Sequence, residues 1–168
     1  MFKNSTEIFA YIKKEDVKLV DVRFTDLPGI QHHFNVPVES FDEAVFTDGL
    51  MFDGSSIRGF QAINESDMKL LPVPESAFID PFRLEKTLVI IFSVHNPVDN
   101  TPYSRDPRGV VAKAVDYMKS TGIADQAFFA PEAEFYVFDA VRFKTGMNEA
   151  YHHIDSYEGA WNTGIVAD

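Results

Sequence analysis

Two glutamates, Glu132 and Glu134, interrupt a run of apolar and aromatic residues in the segment PEAEFYVFD at positions 131–139. The run predicts a buried strand, and because strand side chains alternate, both carboxylates would lie on one face, roughly 6.5–7 Å apart. Such a pair repels by about 2.5 kcal/mol at an effective dielectric constant near 20. A hard divalent cation, Mg²⁺ or Mn²⁺, removes this repulsion. The alternative is an outward-facing strand end whose glutamates meet lysines or water.

A second candidate lies in the loop FDGSSIRGF at positions 52–60. An Asp–Gly pair in a loop is commonly only a turn. Asp53, however, lies among Ser55, Ser56, Arg58 and glycines, a group able to hold its carboxylate in a fixed orientation. A carboxylate held in this way could bind a cationic substrate or accept a proton.

The charge balance of the chain is strongly acidic, with 15 Lys and Arg against 26 Asp and Glu in 168 residues and a net charge of −11. Nucleic acids and anionic membrane surfaces bind basic patches, so neither is an expected partner. The lack of cysteine excludes disulfides, zinc–thiolate sites and thiol nucleophiles. With no N-terminal signal and no apolar run of about 18–20 residues, we expect an intracellular, cytoplasmic protein.

The elements that must position these residues follow from capping residues and side-chain periodicity, which predict a mixed organisation of helices and strands. Asn4 begins a short helix that ends near Lys14. Alternating residues at 17–26 and 30–37 predict two strands joined by a DLPG turn. The unbroken apolar run at 88–92 predicts a central strand covered on both faces.

Less regular segments lie between and beyond these elements. A short helix is expected at 39–46, followed at 50–67 by a long loop rich in Gly, Ser and Asn. Prolines within 68–82 make the strands there peripheral or bulged. Beyond residue 104 the expected elements are a helix from Asp106–Pro107 to a stop at Gly122, a strand leading into the glutamates, and a hairpin-like pair at 140–145 and 150–155.

Seven motifs occur in one order along the chain: VDVRFTDLPGIQHHF, FDGSSIRGFQAINESDM, IDPF, YSRDPR, STGIAD, PEAEFYVFD and GAWNTG. Together they resemble bacterial type I glutamine synthetases, particularly the actinobacterial members. The resemblance implies an α+β chain, with a β-grasp domain at 1–103 followed at 104–168 by the start of a catalytic α/β domain. Because one helix cannot cover the apolar strands after Ser104, we expect their edges to be exposed.

The resemblance also implies an activity, the ATP-dependent ligation of ammonia to glutamate through γ-glutamyl phosphate, with Mg²⁺ or Mn²⁺ as cofactor. Glu134 aligns with a ligand of the metal site nearer glutamate, and Glu132 with a ligand of the site nearer the ATP phosphates. Asp53 aligns with the catalytic aspartate that binds and deprotonates ammonium, with Ser56 beside it. Neighbouring subunits would form a dodecamer of two hexameric rings, with active sites between subunits.

Two alternatives to this activity stay open. One is a glutamate–polyamine ligase of the same superfamily, in which an amine replaces ammonia as the acceptor. The other is a non-catalytic β-grasp module that assembles with or regulates complete subunits. Because the family's remaining metal ligands and most of its nucleotide pocket lie further along, no nucleotide-binding residue is assigned here. For the same reason we expect the 168-residue chain alone to be inactive.

Overall fold

The computed structural model of the chain describes residues 1–161. It contains a first unit, Met1–Ala127, and a second unit that begins at Phe128; the domain boundary expected at residue 103 stays a prediction. In chain order the helices and strands are α1 (Ser5–Glu15), β1 (Leu19–Thr25), β2 (Gln31–Pro37), α2 (Ala44–Thr47), β3 (Leu50–Asp53), β4 (Asp67–Pro72), β5 (Phe78–Ile79), β6 (Thr87–His95), α3 (Pro107–Ser120), β7 (Ala140–Thr145) and β8 (Ala150–Asp155).

A six-stranded sheet forms the centre of the first unit, in the order β2-β1-β6-β4-β3, with β5 also pairing with β6. β1 and β6 run parallel, and all other neighbouring strands run antiparallel. The prediction of a central strand at 88–92 is confirmed, because β6 is bordered by β1, β4 and β5. Leu88, Ile90 and Phe92 of β6 are fully buried.

Helix α1 packs on this sheet because its inward positions are apolar. Ile8 and Ile12 are buried in the same hydrophobic cluster as Val20 of β1. The Asn4 side chain accepts a hydrogen bond from the Glu7 backbone N–H at 3.0 Å, so the helix begins at the predicted capping residue. The predicted hairpin of β1 and β2 is confirmed as well.

The prediction of a loop throughout 50–67 is partly wrong, because its first four residues form β3. Phe52 of β3 is half-buried and pairs with Met68 of β4, which is fully buried. Four residues are too short to show a strand period in the sequence, so only the pairing with β4 reveals the strand. The prediction of peripheral strands at 68–82 holds for β5 but not for β4, which lies between β3 and β6.

The strand expected to lead into the glutamates is not formed, since residues 126–138 adopt no regular secondary structure. A strand needs a hydrogen-bonded neighbour, and no strand among residues 1–161 pairs with this segment. The rings of Tyr136 and Phe138 stack with their centroids 6.1 Å apart, as side chains two positions apart can in an extended chain.

The elements after Ser104 leave much of their apolar surface uncovered, as expected. Helix α3 begins at its predicted cap but contains no buried residue. The predicted pair of β7 and β8 forms a separate two-stranded hairpin. Aromatic residues of the second unit, Phe128, Phe135 and Tyr136 among them, are largely exposed. Within residues 1–161, no helix combines the length and apolarity needed to cross a bilayer.

Candidate functional site around Asp53

Asp53 is the last residue of β3, and the 3-10 turn Gly54–Ser56 follows it directly. Its Oδ1 accepts hydrogen bonds from the Ser55 backbone N–H at 2.8 Å and from Ser55 Oγ at 2.6 Å. Its Oδ2 accepts one from Ser56 Oγ at 2.8 Å. Three donors on two oxygens fix the orientation of the carboxylate, while the side chain stays exposed to solvent.

These hydrogen bonds stabilise the ionised form of Asp53. The hydroxyls of Ser55 and Ser56 and the Ser55 backbone N–H hold the pKa of Asp53 below its usual value, against a smaller opposing effect of desolvation. The group is therefore an anion throughout the neutral range. A lowered pKa favours holding a cation and makes the carboxylate a weaker proton acceptor than an ordinary aspartate.

Replacement of Ser55 by alanine is expected to raise the pKa of Asp53 part of the way toward ~3.9, the value of an unperturbed aspartate. The Ser55 hydroxyl is lost while its backbone N–H remains, so the shift is partial. Because the folded-state pKa is the lower one, Asp53 stabilises the fold above its unfolded pKa. That contribution disappears as the pH falls through the folded pKa. Because Ser55→Ala brings the folded pKa closer to the unfolded pKa, it reduces this contribution and narrows the pH range over which it is lost.

The measurement is an NMR titration of the Asp53 carboxyl carbon in the 168-residue chain. Asp99 serves as the internal reference, because Thr101 lowers its pKa through the same kind of hydrogen bonds. A shift confined to Asp53 supports the assignment. An unchanged Asp53 pKa in Ser55→Ala would show that the serine hydroxyl does not hold the carboxylate.

The backbone around Asp53 is tightly packed at Gly54. Gly54 is buried, and its N–H donates to the Ser66 carbonyl oxygen at 2.6 Å. A Cβ at this position would lie 2.5 Å from Cγ of Met68 and 3.1 Å from the Ser66 carbonyl oxygen. Any larger residue would therefore push the loop away from β4 and move the adjoining Asp53.

The structure brings a second carboxylate, that of Asp67, to the site. Asp67 is the first residue of β4, and the β3–β4 register places it directly opposite Asp53. The sequence placed Asp67 only at the end of the loop predicted for 50–67. Its pairing with a residue 14 positions earlier could not be detected, because β3 itself was not predicted. Like charges directly opposite one another cost free energy unless a cation lies nearby.

An open cavity of about 510 Å³ extends from Asp67. Two more carboxylates, those of Glu65 and Asp99, line it, together with the amides of Asn64 and Asn96. No lysine, arginine or histidine is among the lining residues. A cavity of this charge suits a cation and repels phosphate groups, so a nucleotide would have to bind elsewhere.

Glu132 and Glu134 belong to the second unit, which begins at Phe128. Both lie in the exposed segment 126–138, and neither forms a hydrogen bond or ion pair within residues 1–161. Their carboxylate oxygens are the ligand type that Mg²⁺ and Mn²⁺ prefer. In the described part of the chain, however, no group of three or more His, Cys, Asp or Glu side chains could hold a metal ion. Their shared face and metal role stay predictions.

Family models match both parts of the chain. Residues 16–97 match the model described as "Glutamine synthetase, beta-Grasp domain", which confirms the predicted β-grasp fold. Residues 104–166 match "Glutamine synthetase, catalytic domain". The last three residues of the GAWNTG motif, 162–164, lie outside the described residues but within this second match.

Solved structures share the fold. The chain is similar to "CryoEM Plasmodium falciparum glutamine synthetase", with a TM-score of 0.72 and 23% sequence identity over 94% of this chain and 30% of that one. A GmaS/ADP complex gives a TM-score of 0.60 and 20% identity over 67% of this chain and 25% of that one. At these identities the likeness concerns the fold alone.

Curated relatives are much closer in sequence. Glutamine synthetase of Frankia alni is 58% identical over 163 residues, 97% of this chain and 34% of its own length. Glutamine synthetase of Streptomyces coelicolor is 58% identical over 168 residues, 100% of this chain and 35% of its own length. The chain thus spans about a third of the length of the curated relatives it matches. With both family models covering most of its residues, the chain belongs to the glutamine synthetase family.

Proposed function

We propose that this chain supplies the part of a glutamine synthetase subunit that binds and activates ammonia for transfer to glutamate. The complete reaction consumes ATP, passes through γ-glutamyl phosphate and releases glutamine. The observation that carries the proposal is the Asp53 carboxylate, which is exposed, ionised and held by three hydrogen bonds. Subunits would assemble into a dodecamer in the cytoplasm, with Asp53 facing a neighbouring subunit's catalytic domain.

Asp53 first holds ammonium by charge. Asp67 and the anionic cavity beside it raise the local concentration of cations, and they repel anions that would compete. The lowered pKa keeps Asp53 unprotonated while ammonium is bound. Ammonium has no lone pair, so it must pass one proton to Asp53 before its nitrogen can attack. The freed lone pair then forms the C–N bond as phosphate leaves, and the departing phosphate or water takes the second proton that the nitrogen loses. Ser56 acts through Asp53, because its hydroxyl donates to Oδ2.

Glu132 and Glu134 would hold Mg²⁺ or Mn²⁺ in the complete subunit. The described residues supply two donors of the right chemistry and not a whole coordination shell. When bound, the metal neutralises the negative charge that builds up on the phosphates during phosphoryl transfer. The two glutamates would contribute ligand charge.

A second candidate acceptor is an organic amine. The cavity of about 510 Å³ is larger than ammonium needs, and three carboxylates line it. A diamine or polyamine would place one ammonium group near Asp53 and the other among these carboxylates. The glutamate–amine ligase alternative therefore has support from the cavity, and acceptor competition separates the two activities.

The decisive experiment joins this chain to the remaining two thirds of the Streptomyces coelicolor relative, in place of the matching 168 residues. We expect the chimera to form glutamine from glutamate, ammonia and ATP with Mg²⁺. The 168-residue chain alone is expected to form none. The unmodified relative is the control for assembly and assay.

Three results would contradict the proposal. An assembled chimera that forms no glutamine supports a non-catalytic module instead. A chimera that prefers putrescine to ammonia supports the amine ligase. Glutamine formation by the purified 168-residue chain, free of complete enzyme, would show that the part of the reaction assigned to other residues lies within it.

A further inference from the structure

The motif YSRDPR at positions 103–108 takes no part in the chemistry described above, yet its side chains contact the loop that carries Asp53. The Tyr103 hydroxyl donates a hydrogen bond to the Phe60 carbonyl oxygen at 2.8 Å. Nη1 of Arg105 donates to the same carbonyl at 2.6 Å and to the Gly59 carbonyl at 2.7 Å. Two side chains thus converge on two successive carbonyl groups at one end of the loop 53–61.

This end of the loop is connected to Asp53 by further hydrogen bonds. The Phe60 backbone N–H donates to the Ile57 carbonyl at 3.1 Å, and the Gln61 N–H donates to the Gly54 carbonyl at 3.4 Å. Gly54 directly follows Asp53, so the loop closes on the residue next to the carboxylate. The Phe60 ring is buried and lies 5.2 Å from the Tyr103 ring in an edge-to-face arrangement.

The motif is itself fixed to the end of β6. Asp106 is only 2% exposed, and its Oδ2 accepts a hydrogen bond from the Val94 N–H at 2.9 Å. Its Oδ1 accepts one from the Arg108 N–H at 2.9 Å, which caps α3. The Tyr103 N–H donates to the Val94 carbonyl at 2.9 Å. The motif therefore connects the end of β6, the start of α3 and the loop 53–61. We call this set of contacts the bracket.

We propose that Tyr103 and Arg105 are positioning residues for Asp53, which hold the loop 53–61 so that the carboxylate meets ammonium in one orientation. This inference rests on the proposed function, since it assumes that Asp53 binds the acceptor. Arginine suits the role because its guanidinium is always charged and planar. Its hydrogen bonds to carbonyl groups are stronger than those of neutral donors.

The first readout is amide hydrogen exchange in the 168-residue chain, which needs no enzymatic activity. Arg105→Ala is expected to speed exchange of the Phe60 and Gln61 amides by roughly 10-fold or more, because a charged donor is lost. Tyr103→Phe, which removes one hydroxyl, should act in the same direction and less strongly. The control is Arg108→Ala, because the Arg108 side chain forms no hydrogen bond or ion pair within residues 1–161.

The second readout is the kinetics of the chimera, which separates positioning from simple stabilisation. A loosened loop should raise KM for ammonium by about 10-fold, because fewer molecules present Asp53 correctly before binding. The kcat at saturating ammonium and the KM for glutamate should change little. Arg108→Ala should leave all of these constants unchanged.

Each outcome supports or overturns the inference. Unchanged exchange of the Phe60 and Gln61 amides in folded Arg105→Ala overturns the bracket. Faster exchange of these amides with an unchanged KM for ammonium would show that the bracket holds the loop without positioning Asp53, which also overturns the inference. If Asp53→Asn also leaves the ammonium kinetics unchanged, the proposed function fails. The exchange rates then still test, by themselves, whether Tyr103 and Arg105 hold the loop 53–61. If Arg105→Ala does not fold, Tyr103→Phe provides both comparisons.

Discussion

Replacement of Asp53 by asparagine is expected to lower kcat/KM for ammonium in the chimera by about 100-fold or more. Asparagine keeps the shape of the side chain, and its Oδ1 can still accept the hydrogen bonds from Ser55, whereas the amide nitrogen that replaces Oδ2 cannot accept the one from Ser56. It loses the negative charge that holds the cation, and it cannot take the proton that ammonium must lose before its nitrogen attacks. Steady-state glutamine formation at varied ammonium concentrations measures the loss.

The matched control is Asp99→Asn. Asp99 is also an aspartate with a lowered pKa, and its Oδ1 accepts hydrogen bonds from the Thr101 N–H at 3.0 Å and the Thr101 hydroxyl at 2.8 Å. It shares the local geometry of Asp53 and lines the cavity, but it is not placed at the reacting nitrogen. We expect only a small loss of kcat/KM, because two other carboxylates, those of Glu65 and Asp67, still line the cavity. Equal losses in both variants, or full activity in Asp53→Asn, would contradict the role assigned to Asp53.

Replacement of Phe92 by alanine is expected to lower the free energy of unfolding by about 3–5 kcal/mol. Phe92 is fully buried in β6, the strand that β1, β4 and β5 border. Truncation to alanine removes a large apolar surface from the core and leaves a cavity that the surrounding strands fill only in part. Urea denaturation of the 168-residue chain, followed by circular dichroism, measures the change.

Phe82→Ala makes the same chemical change at a position that is 93% exposed. It should alter the free energy of unfolding by no more than about 0.5 kcal/mol, because no buried contact is lost. Because both variants replace phenylalanine by alanine, the difference between their free energies of unfolding measures the effect of burial alone. Similar losses at both positions would mean that β6 is not the centre of the core.

The elements that the sequence predicted well are those specified by neighbouring residues. Helix α1 begins after Asn4 because that side chain accepts a hydrogen bond from the Glu7 N–H. Helix α3 begins after Asp106 for the same reason, with Arg108 as the donor. The position of β6 follows from an apolar run that only the centre of a sheet can bury. Each of these signals lies within a few residues of the element that it predicts.

The elements that the sequence missed depend on residues far along the chain. Four residues form β3 because β4 pairs with them, and the strand carries too few side chains to show a period. The opposite error concerns 126–138, where apolar residues predicted a strand that finds no partner within residues 1–161. A strand is defined by its neighbour's hydrogen bonds, so composition alone cannot establish one.

The residue types of the site were evident from the sequence, and so was the family resemblance that the family models and curated relatives confirm. The serines beside Asp53 predicted a held carboxylate, because residues two and three positions apart reach one another in any turn. Only the tertiary structure places Asp67 opposite Asp53 and brings Tyr103 and Arg105 onto the loop. Hydrogen bonds across more than 40 positions depend on how the sheet folds, because the chain brings such residues together only after its strands have paired.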